Sequence, residues 1–481
     1  MLTIFTVPVS AEIRPEESKK SEVITPQETT VILFVNTKTR LKLKTTPNGQ
    51  KIKWSSNNKK IATVTQKGKV TAKKAGKAKI TAKAGTPKTG EEKYAFLITV
   101  KKKVKLKNTK GKNTSDTAAL KKIIETQILQ GATVSTDLDN TAQYIWNEKG
   151  RLIELCWNKK KLKGSLSLTR LSSLIVLKCK ENKLTSLNVS KNTSLKELDC
   201  GYNNLKKLDV NKNTSLMKLV CQVNKITKLD VNRNTSLEEL NCGSNNLTTL
   251  NINQNIELKS LDCASNNLTT LNVGNNTILE ELYCRKNKLT TLDISQNMAL
   301  ITLDCRLNTL TTLDISQNMA LTNLDCSYNK LTHLDVSNNI SLTSLNCSYN
   351  KLTHLEIWKN TFLTELDCDC NELTQLDVGN NISLTSLDCC YNKLTHLDVS
   401  KNTSLVLLCC RYNKLTNLDV SRNTALWSLY CEGNLLTDLD ISQNIALKLL
   451  YCKHNKITDL DIHKNTALIE LLCDKNVKVK K

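Results

Sequence analysis

The sequence predicts a mainly β molecule: a β-sandwich, then a solenoid of parallel strands in 21-residue coils, with a helix capping the solenoid's first end. Three observations carry this. A cysteine returns every 21 residues from Cys179 to Cys473, fifteen times without a slip. Apolar and polar residues alternate between close-set turn residues over 24–104. Aromatic residues make up only 4% of the chain, so leucine rather than large rings must fill the core. A fixed period of this size marks a stack in which each coil is buried by its neighbours.

At 481 residues the chain exceeds what one compact core usually supports, which suits a modular or repetitive build. No run approaches 18 consecutive apolar residues, so no transmembrane helix is readable. The net charge of +24 is unevenly placed. Residues 12–113 hold 27 Lys and Arg against 7 Asp and Glu; residues 114–481 hold 42 against 38. The basic character belongs to the first module.

Taken in order, residues 1–23 form a leader. Met1 to Ala11 has a short apolar run with small residues at Val9 and Ala11, like the back half of a secretory signal peptide, although the basic start is missing. Over 24–104, segments such as Val31 to Val35, Leu41 to Leu43 and Ala78 to Ala82 read as short strands of a sandwich. The stretch Trp54-Ser55-Ser56-Asn57-Asn58, then Ile61-Ala62-Thr63-Val64, Gly68-Lys69-Val70-Thr71-Ala72 and Gly76-Lys77-Ala78 resembles the group 2 bacterial immunoglobulin-like domain. That resemblance implies a bacterial, extracytoplasmic protein, with Trp54 as a core anchor. Residues 105–151 supply a linker and the cap. Ser115 and Asp116 offer an N-cap, and Leu120, Ile123, Ile124 and Ile128 share one face of a helix over 115–130. Residues 152–476 hold sixteen repeats, one irregular from Leu152 and fifteen regular from Leu174, and 477–481 form a basic tail.

From Leu195 one coil reads L-x-x-L-x-C-x-x-N-x-L-x-x-L-D-V-x-x-N. Positions four and six lie on a short strand pointing inward, and positions three, five and seven face solvent. Six side chains go inside: Leu195, Leu198, Cys200, Leu205, Leu208 and Val210. The second half repeats the logic, which predicts a second extended segment on the opposite side. The two asparagine columns, begun by Asn203 and Asn213, suit turns. Coils about 4.8 Å apart give a stack roughly 75 Å long. The pattern resembles the leucine-rich repeats of bacterial surface proteins, including the cysteine-ladder branch of the internalin family. That resemblance implies the solenoid fold and a place outside the cell. Internalins carry their immunoglobulin-like domain after the repeats, whereas here it comes first and no Leu-Pro-x-Thr-Gly motif exists, so host-cell invasion is not carried over.

The ladder cysteines recur at one inward position, with no Cys-x-x-Cys pair and no histidine on their face, which predicts buried thiols rather than disulfides or a metal site. Cys370, Cys390 and Cys409 break the pattern at positions eight, seven and five. They are expected to face solvent close together, either free or with Cys370 and Cys390 bonded. His333, His354 and His396 share a column without neighbouring carboxylate–histidine motifs and read as a solvated face.

The column at position five is the candidate binding surface. It carries Tyr283, Asp304, Asp325, Asp367 and Asp388, then Tyr430 and Tyr451, with Tyr391 and Tyr412 bordering it at position eight. Tyrosine offers apolar area and a hydrogen-bonding tip at low entropic cost. The aspartates alternatively belong to the repeat consensus, since Asp209, Asp230 and Asp293 recur in the second half of the coil. We find no nucleophile–base pair, phosphate-cradling loop or zinc spacing. The lysines lack the interleaved aromatics of a nucleic-acid surface. The sequence therefore predicts a non-catalytic, secreted or cell-surface binding protein without cofactor, taking a host or bacterial surface protein or glycan. The basic residues 12–113 would touch the anionic cell wall by charge. The alternative is an accessory part of a cell-wall enzyme system.

Overall fold

The computed structural model describes residues 29–43, 52–84 and 92–480, so the expected leader lies outside the described residues. The chain divides into two compact units, one of residues 1–173 with 179–187 and one of 174–178 with 188–481.

In the first unit, strands β1 (Thr29–Phe34), β2 (Lys38–Arg40), β3 (Lys53–Ser56), β4 (Ala62–Val64), β5 (Lys69–Ala72), β6 (Gly76–Ala84) and β7 (Glu92–Lys101) make two sheets, ordered β1-β7-β6-β3 and β2-β5-β4. Alternation produces the core directly. In β6, Ala78, Ile80, Ala82 and Ala84 point inward while Lys77 and Lys79 stay exposed, so the basic surplus coats the exterior. Trp54 is buried with its ring centroid 5.8 Å from that of Phe96, the core role expected of it. Gly68 adopts φ +73°, and a Cβ there would stand 2.5 Å from the Leu41 carbonyl oxygen and 3.1 Å from the Trp54 ring, so no larger residue fits.

Helix α1 (Thr114–Leu129) forms where its apolar spacing predicts, but Asn113 rather than Ser115 or Asp116 caps it, accepting from the Ser115 and Asp116 amides. Asp116 is instead fully buried. It accepts from Arg151 Nε at 2.8 Å and from the Leu152 amide at 3.0 Å. The buried face is half polar: Leu120 and Ile124 are fully buried, Ile123 and Ile128 are not, and Gln127 is. Gln127 donates to the carbonyls of Lys163 and Ser165 and accepts from the Lys163 amide, pairing the edge of a strand (Lys163–Ser167) as a neighbouring strand would. Hydrophobic spacing cannot register that demand.

The second unit is built on a ladder of fifteen three-residue parallel strands, from Val176–Lys178 to Glu470–Leu472, paired with a register of one coil throughout. Leu198 stands beside Leu177 and Leu219. In the coil from Leu300, the side chains of Leu300, Leu303, Cys305, Leu310, Leu313 and Ile315 are all buried. Every ladder cysteine from Cys179 to Cys452 is buried and outside any disulfide, and Cys473 is half-buried at the last coil.

The second half of the coil corrects one expectation. Among the described residues from 189 to 457 it contains no strand, and neighbouring coils share single ladder bonds there, such as Asn246 N–H to Ile226 O at 2.8 Å. Local turns take the backbone donors instead. Asp293 Oδ1 accepts from the Ser295 amide at 3.0 Å, and the Leu300 amide donates to Asn297 O at 3.1 Å. A strand reappears at Asp459–Asp461, paired in parallel with Lys478–Lys480.

Both asparagine columns are interior polar ladders. Asn308 is buried and its Nδ2 donates to the carbonyls of Cys284 and Cys305, while its Oδ1 accepts from the Leu289 amide. Asn297 is fully buried, and its Nδ2 donates to Val273 O and Asn276 O. Each coil is thereby tied to its predecessor by side chains as well as by strands.

Candidate binding face

Three columns form the exposed edge of the strand ladder: position five at the strand end, and positions seven and eight in the turn that follows. The turn advances toward the next coil, so position seven of one coil meets position five of the next. Arg306 Nη1 lies 2.8 Å from Asp325 Oδ2, Asn241 Nδ2 donates to Gln222 Oε1 at 3.0 Å, and the Arg411 guanidinium sits 4.3 Å from the Tyr430 ring centroid.

This stagger corrects the reading of the irregular cysteines. Cys390, at position seven, is disulfide-bonded to Cys409, at position five of the following coil, with Cα atoms 5.9 Å apart, and both are buried. Cys370 stays free and half-buried at position eight, a column that stacks on itself. Sequence columns alone give the neighbours along one position and miss the diagonal.

Position five also does structural work. Its aspartate or asparagine accepts from the amide two residues on, as Asp325 does from Ser327 at 3.1 Å and Asp388 from Cys390 at 3.0 Å. The remaining carboxylate oxygen has different fates. Asp304, expected on the surface, is only 7% exposed and lies 3.4 Å from Arg306 and 3.5 Å from Arg285, because long position-seven arginines fold over it. Burial and the neighbouring Asp325 still push its pKa up against that attraction. Asp325 is neutralised by Arg306. Tyr283, half-buried, stands between Asp262 and Asp304. Asp367 and Asp388 form no such pair. With Asp369 they bring carboxylate oxygens within 4.8 Å of one another, and burial followed by mutual repulsion raises Asp367 to about 6. Asp369 and Asp388 are likewise raised, chiefly by burial.

The tyrosines gather in three clusters. Tyr430 and Tyr451 meet edge to face at 5.0 Å, with Arg411 against both rings and 2.7 Å from Glu432. Tyr391 and Tyr412 stack at 4.5 Å. Tyr328 and Tyr349 stack at 4.1 Å, nearly parallel at 8°, and join the face unannounced. The signal for them was present, since they occupy the same position eight as Tyr391 and Tyr412. All five position-eight tyrosines, Tyr202 as well as these four, adopt left-handed φ near +50°, a conformation costing about 1–2 kcal/mol for a residue with a Cβ. They remain 43–51% exposed, so burial does not offset that cost. Glycine serves the same position at Gly433. Val223, Ser244, Lys286 and Leu307 adopt the same φ in their own coils, so the turn imposes it whatever the side chain.

His333 and His354 are exposed, each bonded to its preceding threonine at 3.0 Å. No helix among the described residues is long and apolar enough to cross a membrane.

The fold and face define a leucine-rich-repeat solenoid with an inward cysteine column, preceded by a bacterial immunoglobulin-like module. Residues 8–94 match the bacterial Ig-like domain (group 2). The functional domain of InlJ from Listeria monocytogenes, which includes a cysteine ladder, is 40% identical, with a TM-score of 0.62 over 64% of this chain and 69% of that one. An internalin, inlF of Listeria monocytogenes, is 22% identical over 67% of this chain and 86% of that one, with a TM-score of 0.50. The ectodomain of the plant receptor kinase GASSHO1/SCHENGEN3 from Arabidopsis thaliana, solved with CASPARIAN STRIP INTEGRITY FACTOR 2, is 24% identical over 64% of this chain and 42% of that one, with a TM-score of 0.59. The last two share the fold. No curated protein sequence matches. The chain belongs to the cysteine-ladder internalin family.

Proposed function

We propose that the chain is a non-catalytic binding protein of the bacterial surface or exterior, and that the strand face of its last six or so coils takes an extended protein or glycan ligand. One observation carries the reading: Tyr391, Tyr412, Tyr430 and Tyr451 stand as two ring pairs in consecutive coils, with Arg411 among them. Aromatic side chains and arginine dominate the energetics of protein interfaces. Membership of the internalin family and the immunoglobulin-like module support a place outside the cell. A protein ligand is in keeping with the plant ectodomain of the same fold, which was solved with one. The lysine-coated first module, with Lys77 and Lys79 exposed, would add electrostatic contact to an anionic wall.

A glycan and surface-protein array probed with the whole chain identifies the ligand. Replacing Tyr430 and Tyr451 together by alanine is expected to weaken that ligand at least tenfold without moving the melting temperature. Unchanged affinity refutes this location of the site.

A further inference from the structure

The position-eight tyrosines from Tyr328 to Tyr412 form a stack with one ring missing. Tyr328 and Tyr349 stack on one side and Tyr391 and Tyr412 on the other, at 4.1 and 4.5 Å. The coil between them carries Cys370, whose side chain ends far short of a ring. Coils rise about 4.8 Å, so the facing rings of Tyr349 and Tyr391 stand roughly 9–10 Å apart, and a group centred between them lies within the ~6 Å reach of a cation–π contact to each. One planar group fits that interval.

The carboxylates say what kind. Asp369 adjoins Cys370, and Asp367 and Asp388 complete the cluster. Among the described residues no ion pair reaches any of the three, while Asp304 and Asp325 are answered by Arg285 and Arg306. The Asp369 carboxyl has only the neighbouring Cys370 thiol as a side-chain partner, and its Oδ1 is buried without a hydrogen bond. Arg411, whose charge draws on Asp388 without pairing with it, is committed to Glu432 and to the Tyr430 ring. That last arrangement is a working precedent: a guanidinium against a tyrosine ring with a carboxylate at 2.7 Å, built from the chain's own residues. In the coil from Leu363, position seven is Asp369 instead of arginine, so the tyrosine faces and carboxylates stand ready while the cation is lacking.

We propose that the slot between Tyr349 and Tyr391, floored by Cys370 and walled by Asp367, Asp369 and Asp388, binds an arginine side chain presented by an extended peptide segment of the ligand. The inference rests on the binding-face reading above and names the chemistry of its partner. A planar guanidinium stacks on both rings and donates two parallel bonds to a carboxylate, which an ammonium cannot do.

The test is a saturation-transfer NMR titration of the whole chain with a Gly-Ser octapeptide carrying one central arginine, beside versions with lysine and with neutral citrulline. The arginine peptide is expected to bind at least tenfold more tightly than either analogue. C370Y, which fills the missing ring at a position that already accepts tyrosine, and D369N are each expected to weaken it at least tenfold. Equal binding of the citrulline or lysine peptide, or undiminished binding in both variants, overturns the proposal. Self-association of the whole chain that C370Y abolishes would place a basic segment of a second copy in the slot, and would overturn the external peptide. For the array-identified ligand, sensitivity to the Tyr430 and Tyr451 change but not to C370Y discards the slot and keeps the binding face. Insensitivity to both discards both.

Discussion

Removing one interior asparagine tests how the coils are tied together, and the two columns are predicted to differ. In Asn308→Ala, Nδ2 bonds to Cys284 O at 3.2 Å, Cys305 O at 3.0 Å and Arg306 O at 3.4 Å are lost, together with the bond from the Leu289 amide to Oδ1 at 3.0 Å. The two cysteine carbonyls keep a partner, since Asn287 still donates to Cys284 O and Asn329 to Cys305 O. The Leu289 amide is left buried and unpaired. An orphaned buried donor costs about 1–3 kcal/mol and each of the two bonds that the Nδ2 hydrogens can make a net ~1 kcal/mol, which gives about 3–5 kcal/mol in all. In Asn297→Ala, bonds to Val273 O and Asn276 O are lost, but Asn297 Oδ1 had no partner and both carbonyls keep a backbone donor. The cost there is about 1–2 kcal/mol. Urea unfolding followed by circular dichroism reads the difference, and hydrogen exchange at the Leu289 amide reads its cause, with protection falling in Asn308→Ala alone. Equal costs, the reverse order, or an unchanged Leu289 amide would refute the argument that the first column is the one that holds buried donors.

Two further outcomes follow from the cysteines and the acids. Denatured under non-reducing conditions, the chain is expected to titrate 17 thiols of its 19 cysteines, the missing two being Cys390 and Cys409. In the native state the buried ladder thiols should alkylate slowly for want of access, Cys305 among them with its pKa pushed well up by burial, and Cys305→Ser should cost about 1–3 kcal/mol and more than Cys305→Ala. Asp367 holds its proton more tightly folded than unfolded, with a pKa raised from 3.8 to about 6. Its contribution therefore favours the fold below about pH 4 and is lost as pH rises through about 6. Asp367→Asn keeps the turn acceptor, as Asn346 does at the same position, and should stabilise the chain at pH 7 by about 1 kcal/mol after solvent screening. Thermal melts should show a higher Tm at pH 7 and a flatter pH dependence between 4 and 6; a lower Tm would contradict the sign.

Much of this molecule is written in one dimension. Periodicity is local information: Cys179 to Cys473 at a constant spacing dictates a coil of fixed length, and Leu198, Cys200 and Leu205 must turn inward because nothing else can bury them. Alternation in Ala78 to Ala84 dictates which face of the sandwich is lysine-coated by the same logic. Columns at position five and position eight were equally legible, and reading position eight to its end would have added Tyr328 and Tyr349.

Tertiary structure decided what depends on direction between coils and on unpaired backbone. The turn's advance set position seven against position five of the next coil, which joined Cys390 to Cys409 and closed Arg285 over Asp304, whereas columns predict only like beside like. The turn acceptors of the second half used up donors that a strand ladder through the expected second extended segment would have needed. Asp116 and Gln127 went inside α1's packed face because a strand edge and an arginine required partners there. Hydrophobic period records which side chains avoid water; it carries no account of where each buried N–H and carbonyl finds its partner, and that accounting is settled only when the coils are stacked.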